Sequence, residues 1–311
     1  MSAIYGAIEA GGTKFVLACG RGPGELLEER TLPTTTPEET LGASVAWFRE
    51  VQGRHGELAG IGVGTFGPAG VHEGAADWGW ITTTPKAGWR DTDVAGYVGR
   101  GLGLPVAFDT DVNAAALGEW LWGAGVGCEV VLYLTVGTGI GGGVVMGGKP
   151  LHGVLHPEMG HVRTARAAGD EFAGVCPWHG DCLEGMASGP ASGARWGGPA
   201  GELPPGHEAW ELEAHYLAEA CTGFLCTLSP QRVILGGGVM GVPGLLERVR
   251  AGVRERLGGY LQHPLYSGGL EDCVVAPGLG TRSGILGALA LARELVQPAS
   301  QLASSDYVGK H

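Results

Sequence analysis

The chain has 311 residues, 44% of them hydrophobic and 17% charged, which suits one large or two medium globular domains and excludes a disordered chain. Twenty Lys and Arg against 32 Asp and Glu give a formal net charge of −12. No basic cluster offsets it, so a nucleic-acid binder is not expected and the acidity is read as an aid to solubility.

The first 20 residues include IYGAIEAGGTKFVLACG, which reads as strand, glycine turn and strand, because Phe15 to Cys19 favour β structure. LLEERTLPT adds a third strand. Thr36-Pro37-Glu38-Glu39 has the form of a capping box with Pro at the first helical position, and opens a helix to about Val51. LAGIGVGTFGP is a buried strand ending in a Gly/Pro loop. LPVAFDTD is a further short strand, and VNAAALGEWLWG continues as a helix. EVVLYLTVGTGIGGGVVMGGKPL repeats the layout of the first hairpin, with TVGTGIGGG standing where EAGGTK stood, which hints at an internal duplication. The rest alternates: a helix over WELEAHYLAEACTGFLCTLSP, a strand at RVILGGG, a helix over PGLLERVRAGVRERLGGY, a strand at DCVVAP and a last helix over TRSGILGALALARELV. This is α/β throughout. The expected domains are 1–118, joined by the C-terminal helix 282–311, and 119–281. The tail after Val296 is polar and is expected to be loose.

Seven Cys, at 19, 128, 176, 182, 221, 226 and 273, are an odd number and sit mostly in apolar segments. That pattern predicts free thiols in a reducing compartment. The N-terminal segment lacks a basic stretch followed by an apolar one, and no apolar run suffices to span a bilayer. A soluble cytoplasmic protein is the expectation.

GxGxxG occurs three times, at Gly62-Gly64-Gly67, Gly137-Gly139-Gly142 and Gly236-Gly238-Gly241. A dinucleotide site needs strand, loop, helix and then an acid ending the next strand. The first match runs into Pro68 and the second into another strand. The third is followed by CVVAP, with no acid, so a nicotinamide oxidoreductase is disfavoured. The P-loop pattern is absent. The glycine turns read either as ordinary hairpin turns or as a phosphate cradle, in which backbone N–H groups take anionic oxygens and glycine supplies positive φ. In the cradle reading Gly11, Gly12, Thr13 and Lys14 form one half, and Gly137, Thr138 and Gly139 the other. Gly236, Gly237 and Gly238 then lie beside the nucleoside.

His161, Cys176, His179 and Cys182 have the spacing H-x₁₄-C-x₂-H-x₂-C. Two thiolates and two imidazoles are the ligand set of a closed, four-coordinate structural zinc site. His152, His156 and His207 are weaker candidates and are left out of the set. Asp109 and Asp111 stand at a strand end entering a helix, where an acid can be a general base or only a helix cap.

EAGGTK, the GPAG after GIGVGTF, DTDVNAAALGE, TVGTGIGGGVV, HPEMGH and CLEGMASGPA, in this order, resemble the ROK family of sugar kinases and repressors. EAGGTKF, the segment ITTTPKAGW and the block HPEMGH…CPWHGDCLEG resemble its bacterial fructokinase branch. The resemblance implies an actin/hexokinase-like ATPase fold (a ribonuclease H-like motif), with two α/β domains around a cleft. It implies transfer of a phosphoryl group from ATP, with Mg²⁺, to a hexose primary hydroxyl, most closely that of D-fructose; glucokinase and mannokinase are the alternatives within the family. Asp111 is the implied base. Glu158, His161 and Glu184 are implied sugar ligands, and Thr110, where the family often has Asn, can offer a hydroxyl. Glu9 is implied beside the metal-bound phosphates. ITTTPKAGW is expected to shape a wall of the sugar site. The family's usual zinc set is one His and three Cys, and here His179 replaces one Cys. With one imidazole nitrogen on Zn²⁺, His161 could turn the other to sugar. A homodimer is also implied. A ROK repressor would carry a helix-turn-helix before the first phosphate turn; eight residues precede Glu9, and the kinase is expected.

Overall fold

The computed structural model describes residues 3–295 of the chain. The tail after Val296, and with it the end of the expected 282–311 helix, lies outside the described residues.

In chain order the elements begin with β1 (Ile4–Ala10), β2 (Lys14–Gly22), β3 (Glu25–Pro33), α1 (Pro37–His55) and β4 (Leu58–Thr65). Next come β5 (Trp80–Ile81), β6 (Thr92–Asp93), α2 (Val94–Leu102), β7 (Val106–Thr110) and α3 (Asp111–Trp122). The second hairpin is β8 (Val130–Val136) and β9 (Ile140–Met146), followed by β10 (Lys149–Pro150), α4 (Leu183–Ala187), α5 (Gly189–Trp196) and α6 (Ala209–Leu228). The chain continues through β11 (Arg232–Gly236), α7 (Leu245–Leu257), α8 (Pro264–Ser267), β12 (Val274–Val275) and α9 (Ser283–Glu294). The N-cap half of the capping box forms: Thr36 accepts from the Glu39 N–H, with Pro37 opening α1.

There are two five-stranded sheets, of order β3-β2-β1-β4-β7 and β10-β9-β8-β11-β12. In each, the first hairpin strand is central, the next two strands lie on one side and two later strands on the other. β1 pairs antiparallel with β2 and parallel with β4, and β8 pairs parallel with β11. The shared order bears out the duplication that the two hairpins suggest.

The chain divides into two compact units, one of residues 3–126, 143–157 and 282–295, the other of 127–142 and 158–281. In the first, the core gathers Ile8, Phe15, Leu17, Phe48, Ile61, Val63 and Trp89. Helix α9 belongs to this unit and packs on α3, β1 and β4. Glycine makes that possible. A Cβ at Gly287 would overlap the Ala114 carbonyl oxygen, and one at Gly62 the Ala288 carbonyl oxygen. Buried Glu119 closes the packing: it accepts from the Ser283 hydroxyl at 2.7 Å and from the Ala124 N–H at 2.7 Å. No helix among the described residues is long and apolar enough to cross a membrane.

Candidate active site

In the first unit the glycine turn between β1 and β2 closes with Gly11 N–H donating to the Lys14 carbonyl at 3.0 Å. The Gly12 and Thr13 N–H groups have no partner among the described residues, and no atom lies within 4 Å of a Cβ built at Gly12. Neither Gly11 nor Gly12 has positive φ, so the expected left-handed geometry is not why glycine stands here. The reason is close approach: a Cβ at Gly11 would lie 2.8 Å from the Lys14 oxygen, and Gly12 leaves the backbone bare. Lys14 is exposed at the start of β2. Glu9, near the end of β1, reaches the N-terminus of α9. Burial pushes its carboxyl up, while Lys14 and a bond from the Ile285 N–H oppose the rise. Gly284 leaves room for that carboxylate. No side chain of α9's own N-cap residue, Arg282, caps the helix, so Glu9 serves in its place.

Asp109 and Asp111 separate clearly. Asp109 is 2% exposed, and both of its oxygens are engaged. One accepts from the Thr110 N–H at 2.7 Å and the Asn113 amide at 2.8 Å; the other meets His152 Nε2 at 2.8 Å. Asp111, partly exposed, opens α3, with one oxygen bonded to the Val112 N–H at 2.9 Å. The Thr110 hydroxyl does not face solvent: Thr110 is 3% exposed and caps α3 by accepting from the Asn113 N–H at 3.2 Å. In ITTTPKAGW, Trp89 is a core residue. Its indole N–H donates to the Thr35 carbonyl at 2.8 Å, and its ring meets Phe15 and Phe66.

In the second unit the turn between β8 and β9 repeats the first. Gly137 N–H donates to the Gly139 carbonyl at 2.9 Å, leaving the Thr138 and Gly139 N–H groups without a partner among the described residues. Here too no glycine has positive φ. In the third loop Gly237 does, at φ 92°, and a side chain there would overlap the backbone of Val136. Gly238 beside it is open.

The short helical turn Met159–His161 and helix α4 bring Glu158, His161 and Glu184 together. Burial raises the Glu158 carboxyl; His161 opposes the rise and Glu184 adds to it. Glu184 accepts from the Ile140 N–H at 2.9 Å. Around His161 the expected metal ligands converge: donor atoms of His161, Cys176, His179 and Cys182 all lie within 4.8 Å of one another. His161 Nδ1 is 3.5 Å from Cys182 Sγ and 3.8 Å from Cys176 Sγ, and His179 Nδ1 is 3.6 Å from Cys176 Sγ. A tetrahedron with metal–sulfur bonds of about 2.3 Å and metal–nitrogen bonds of about 2.0–2.1 Å sets neighbouring S and N about 3.6 Å apart, so the donor set suits zinc. His161 turns Nδ1 to the thiols, and its Nε2 has no partner among the described residues.

The three histidines left out of the set stand elsewhere. His152 binds Asp109. His156 Nε2 accepts from the Ala69 N–H at 3.0 Å, and His207 Nδ1 accepts from the Ala209 N–H at 3.1 Å. Sequence reasoning missed the support behind the loop of candidate metal ligands. Asp170 pairs with Arg195 of α5 and with the Tyr216 hydroxyl of α6, and it accepts from the Phe172 N–H at 3.0 Å. Those partners lie 25 and 46 residues away, and no local pattern announces them.

The family description "ROK family" matches residues 5–295. A fructokinase of Zymomonas mobilis is 45% identical over 293 residues, covering 93% of this chain and 96% of that protein. A fructokinase of Pediococcus pentosaceus is 40% identical over 296 residues, covering 95% of this chain and 100% of its own length. Among solved structures, a ROK hexokinase from Thermus thermophilus superposes with a TM-score of 0.76 at 28% identity, covering 94% of this chain and 99% of that one. Its fold is the actin/hexokinase-like ATPase fold that the motifs imply. The chain belongs to the ROK family.

Proposed function

We propose that the protein transfers the γ-phosphoryl group of ATP to a primary hydroxyl of D-fructose, giving fructose 6-phosphate and ADP. It is a sugar kinase, and its relatives at 40 and 45% identity are fructokinases. The observation that carries the reading is the convergence of Glu158, His161 and Glu184 beside the bare turn Gly137–Gly139. In this reading sugar-hydroxyl acceptors and phosphate donors belong to one unit. Carboxylates suit a sugar because each oxygen accepts from a neighbouring hydroxyl.

In this reading the fructose oxygen bonds to the γ-phosphorus as the bond from phosphorus to ADP breaks, and Asp111 takes the hydroxyl proton. Asp109 is not the base, because its oxygens are occupied within the fold. The N–H groups of Gly12, Thr13, Thr138 and Gly139 hold phosphate oxygens, with Lys14 adding positive charge. Gly236, Gly237 and Gly238 border the nucleoside. Mg²⁺ supplies charge neutralisation on the phosphates when bound. Glu9 would hold it through water, since Mg²⁺ keeps several waters and needs few protein ligands. His161, Cys176, His179 and Cys182 would hold zinc, whose part is to fix the loop; His161 Nε2 then donates to sugar.

A coupled ADP-release assay with fructose, glucose and mannose, together with metal analysis of the purified protein, tests the reading. Fructose should have the highest kcat/KM, and zinc should be present at about one ion per chain. Glucose or mannose turning over far better than fructose would replace the substrate assignment.

A further inference from the structure

We propose that Glu184 is a positioning residue for the nucleotide as well as a sugar ligand: it pins the Gly137–Gly139 turn, so that hexose binding and nucleotide binding are coupled through one carboxylate. The proposal rests on the kinase reading above.

Within itself the turn has little to hold it. Among the described residues, the bond within it runs from the Gly137 N–H to the Gly139 carbonyl. Beyond the pairing of β8 with β9, further contacts that fix it come from the segment carrying the proposed sugar and metal ligands. Glu184 Oε2 accepts from the Ile140 N–H at 2.9 Å, at the point where the turn enters β9. The same oxygen lies 2.8 Å from where a Cβ at Gly139 would sit, so the carboxylate packs directly on the turn. At the other end, Gly189 N–H, which opens α5, donates to the Gly137 carbonyl at 2.7 Å. Gly160, between Met159 and His161, packs so closely on the Ile140 carbonyl oxygen that a side chain would overlap it. The pin is itself fixed: Glu184 lies in the first turn of α4, two residues after Cys182, and its carbonyl accepts from the Ser188 N–H at 3.1 Å.

The consequence is thermodynamic. A carboxylate that holds the turn with one oxygen and sugar hydroxyls with the other links the two ligands. Such linkage is reciprocal, so fructose should tighten nucleotide binding by the factor that nucleotide tightens fructose binding. Ordering the turn in advance also removes part of the cost of binding phosphate.

Calorimetric titration of a non-hydrolysable ATP analogue into the zinc-loaded protein without hexose isolates the pin from the sugar contact. Glu184→Ala should weaken this sugar-free nucleotide affinity about ten-fold, the scale of one lost bond to a charged acceptor. Glu184→Gln keeps an oxygen for the Ile140 N–H and should weaken it less, while both variants lose fructose affinity. Gly160→Ala leaves Glu184 intact, displaces the turn from the other side and should also weaken sugar-free nucleotide binding. A Glu184 that served only the sugar would leave sugar-free affinity unchanged in both Glu184 variants. If Glu184→Ala folds and matches wild type, the pin is wrong although the kinase reading stands. If Glu184→Ala fails to fold, wild-type sugar-free affinity in Glu184→Asp, whose shorter side chain withdraws the carboxylate from the Ile140 N–H, overturns the pin instead. Absence of both nucleotide binding and turnover in wild type would remove the kinase reading itself.

Discussion

Two acids, Asp109 and Asp111, stand two residues apart at the end of a strand, and only their surroundings distinguish them. Asp109 is buried, and its oxygens bind His152, the Thr110 N–H and the Asn113 amide. Asp111 is the more exposed of the two. Asp111→Asn should lower kcat by about 10²–10⁴-fold with a smaller change in fructose KM, as expected on losing a general base. Asp109→Asn should instead lower the melting temperature of the first unit, because it leaves His152 without its carboxylate. Steady-state kinetics and thermal melts of the two variants separate the roles. The sequence displays both acids but not this division, because His152 approaches from 43 residues away. The neighbouring histidines add a test of sign. Burial lowers the pKa of His156, and its Nε2 must stay unprotonated to accept from Ala69. Its contribution to stability is therefore present above the ordinary value of about 6.5 and is lost as pH falls through the folded value. The bond to Asp109 raises the pKa of His152 against the opposing effect of burial. That contribution is full below about 6.5 and is lost as pH rises through the folded value. His156→Asn should thus destabilise more at pH 8 than at pH 5.5, and His152→Asn the reverse, in melts run at both pH values.

At the level of elements, the long helices and the hairpins are legible because their signals are local. Thr36 to Glu39 announces α1, and the two glycine turns announce β1–β2 and β8–β9. What is not legible is short or held from afar. Strand β12 spans only Val274–Val275, although DCVVAP reads as a full strand. Helix α4 spans Leu183–Ala187, too short for any apolar period to show. Glycine-mediated packing is equally hidden, since Gly62, Gly118 and Gly287 reveal their purpose only where α3, α9 and β4 meet. Gly287→Ala forces a methyl onto the Ala114 carbonyl and should destabilise by about 1–3 kcal/mol, read from denaturant unfolding. The loop of the candidate metal ligands is tied by Asp170 to α5 and α6. Burial opposes ionisation of Asp170, but Arg195, Tyr216 and the Phe172 N–H outweigh it and hold the carboxyl down to about 2. The stability this gives is present above the ordinary Asp value of about 3.9 and is lost as pH falls from there through about 2. Removing zinc with a strong chelator should lower the melting temperature and abolish measurable fructose binding together, because the same loop carries Glu158, His161 and Glu184. Fructose binding that persists in protein shown to be metal-free would separate the loop's order from the metal.

For the molecule as a whole, the family and the fold were written in an ordered set of motifs spread along the chain, which the match over residues 5–295 bears out. The duplication was visible as two similar hairpins and reappears as two sheets of the same strand order. Each copy ends its first strand in a turn that leaves two N–H groups without a partner among the described residues. Such turns and close helix packing account for part of the 60 glycines. The choice of hexose is a property of the assembled site and not of any one motif, so it rests on the fructokinase relatives. Fructose has two primary hydroxyls, and the central claim names one of them. Phosphorus and carbon NMR of the product formed from fructose, ATP and Mg²⁺ reads the position directly. The account predicts phosphate on the carbon-6 oxygen with one ADP released per sugar; phosphate on carbon 1, or ADP release without a phosphorylated sugar, would contradict it.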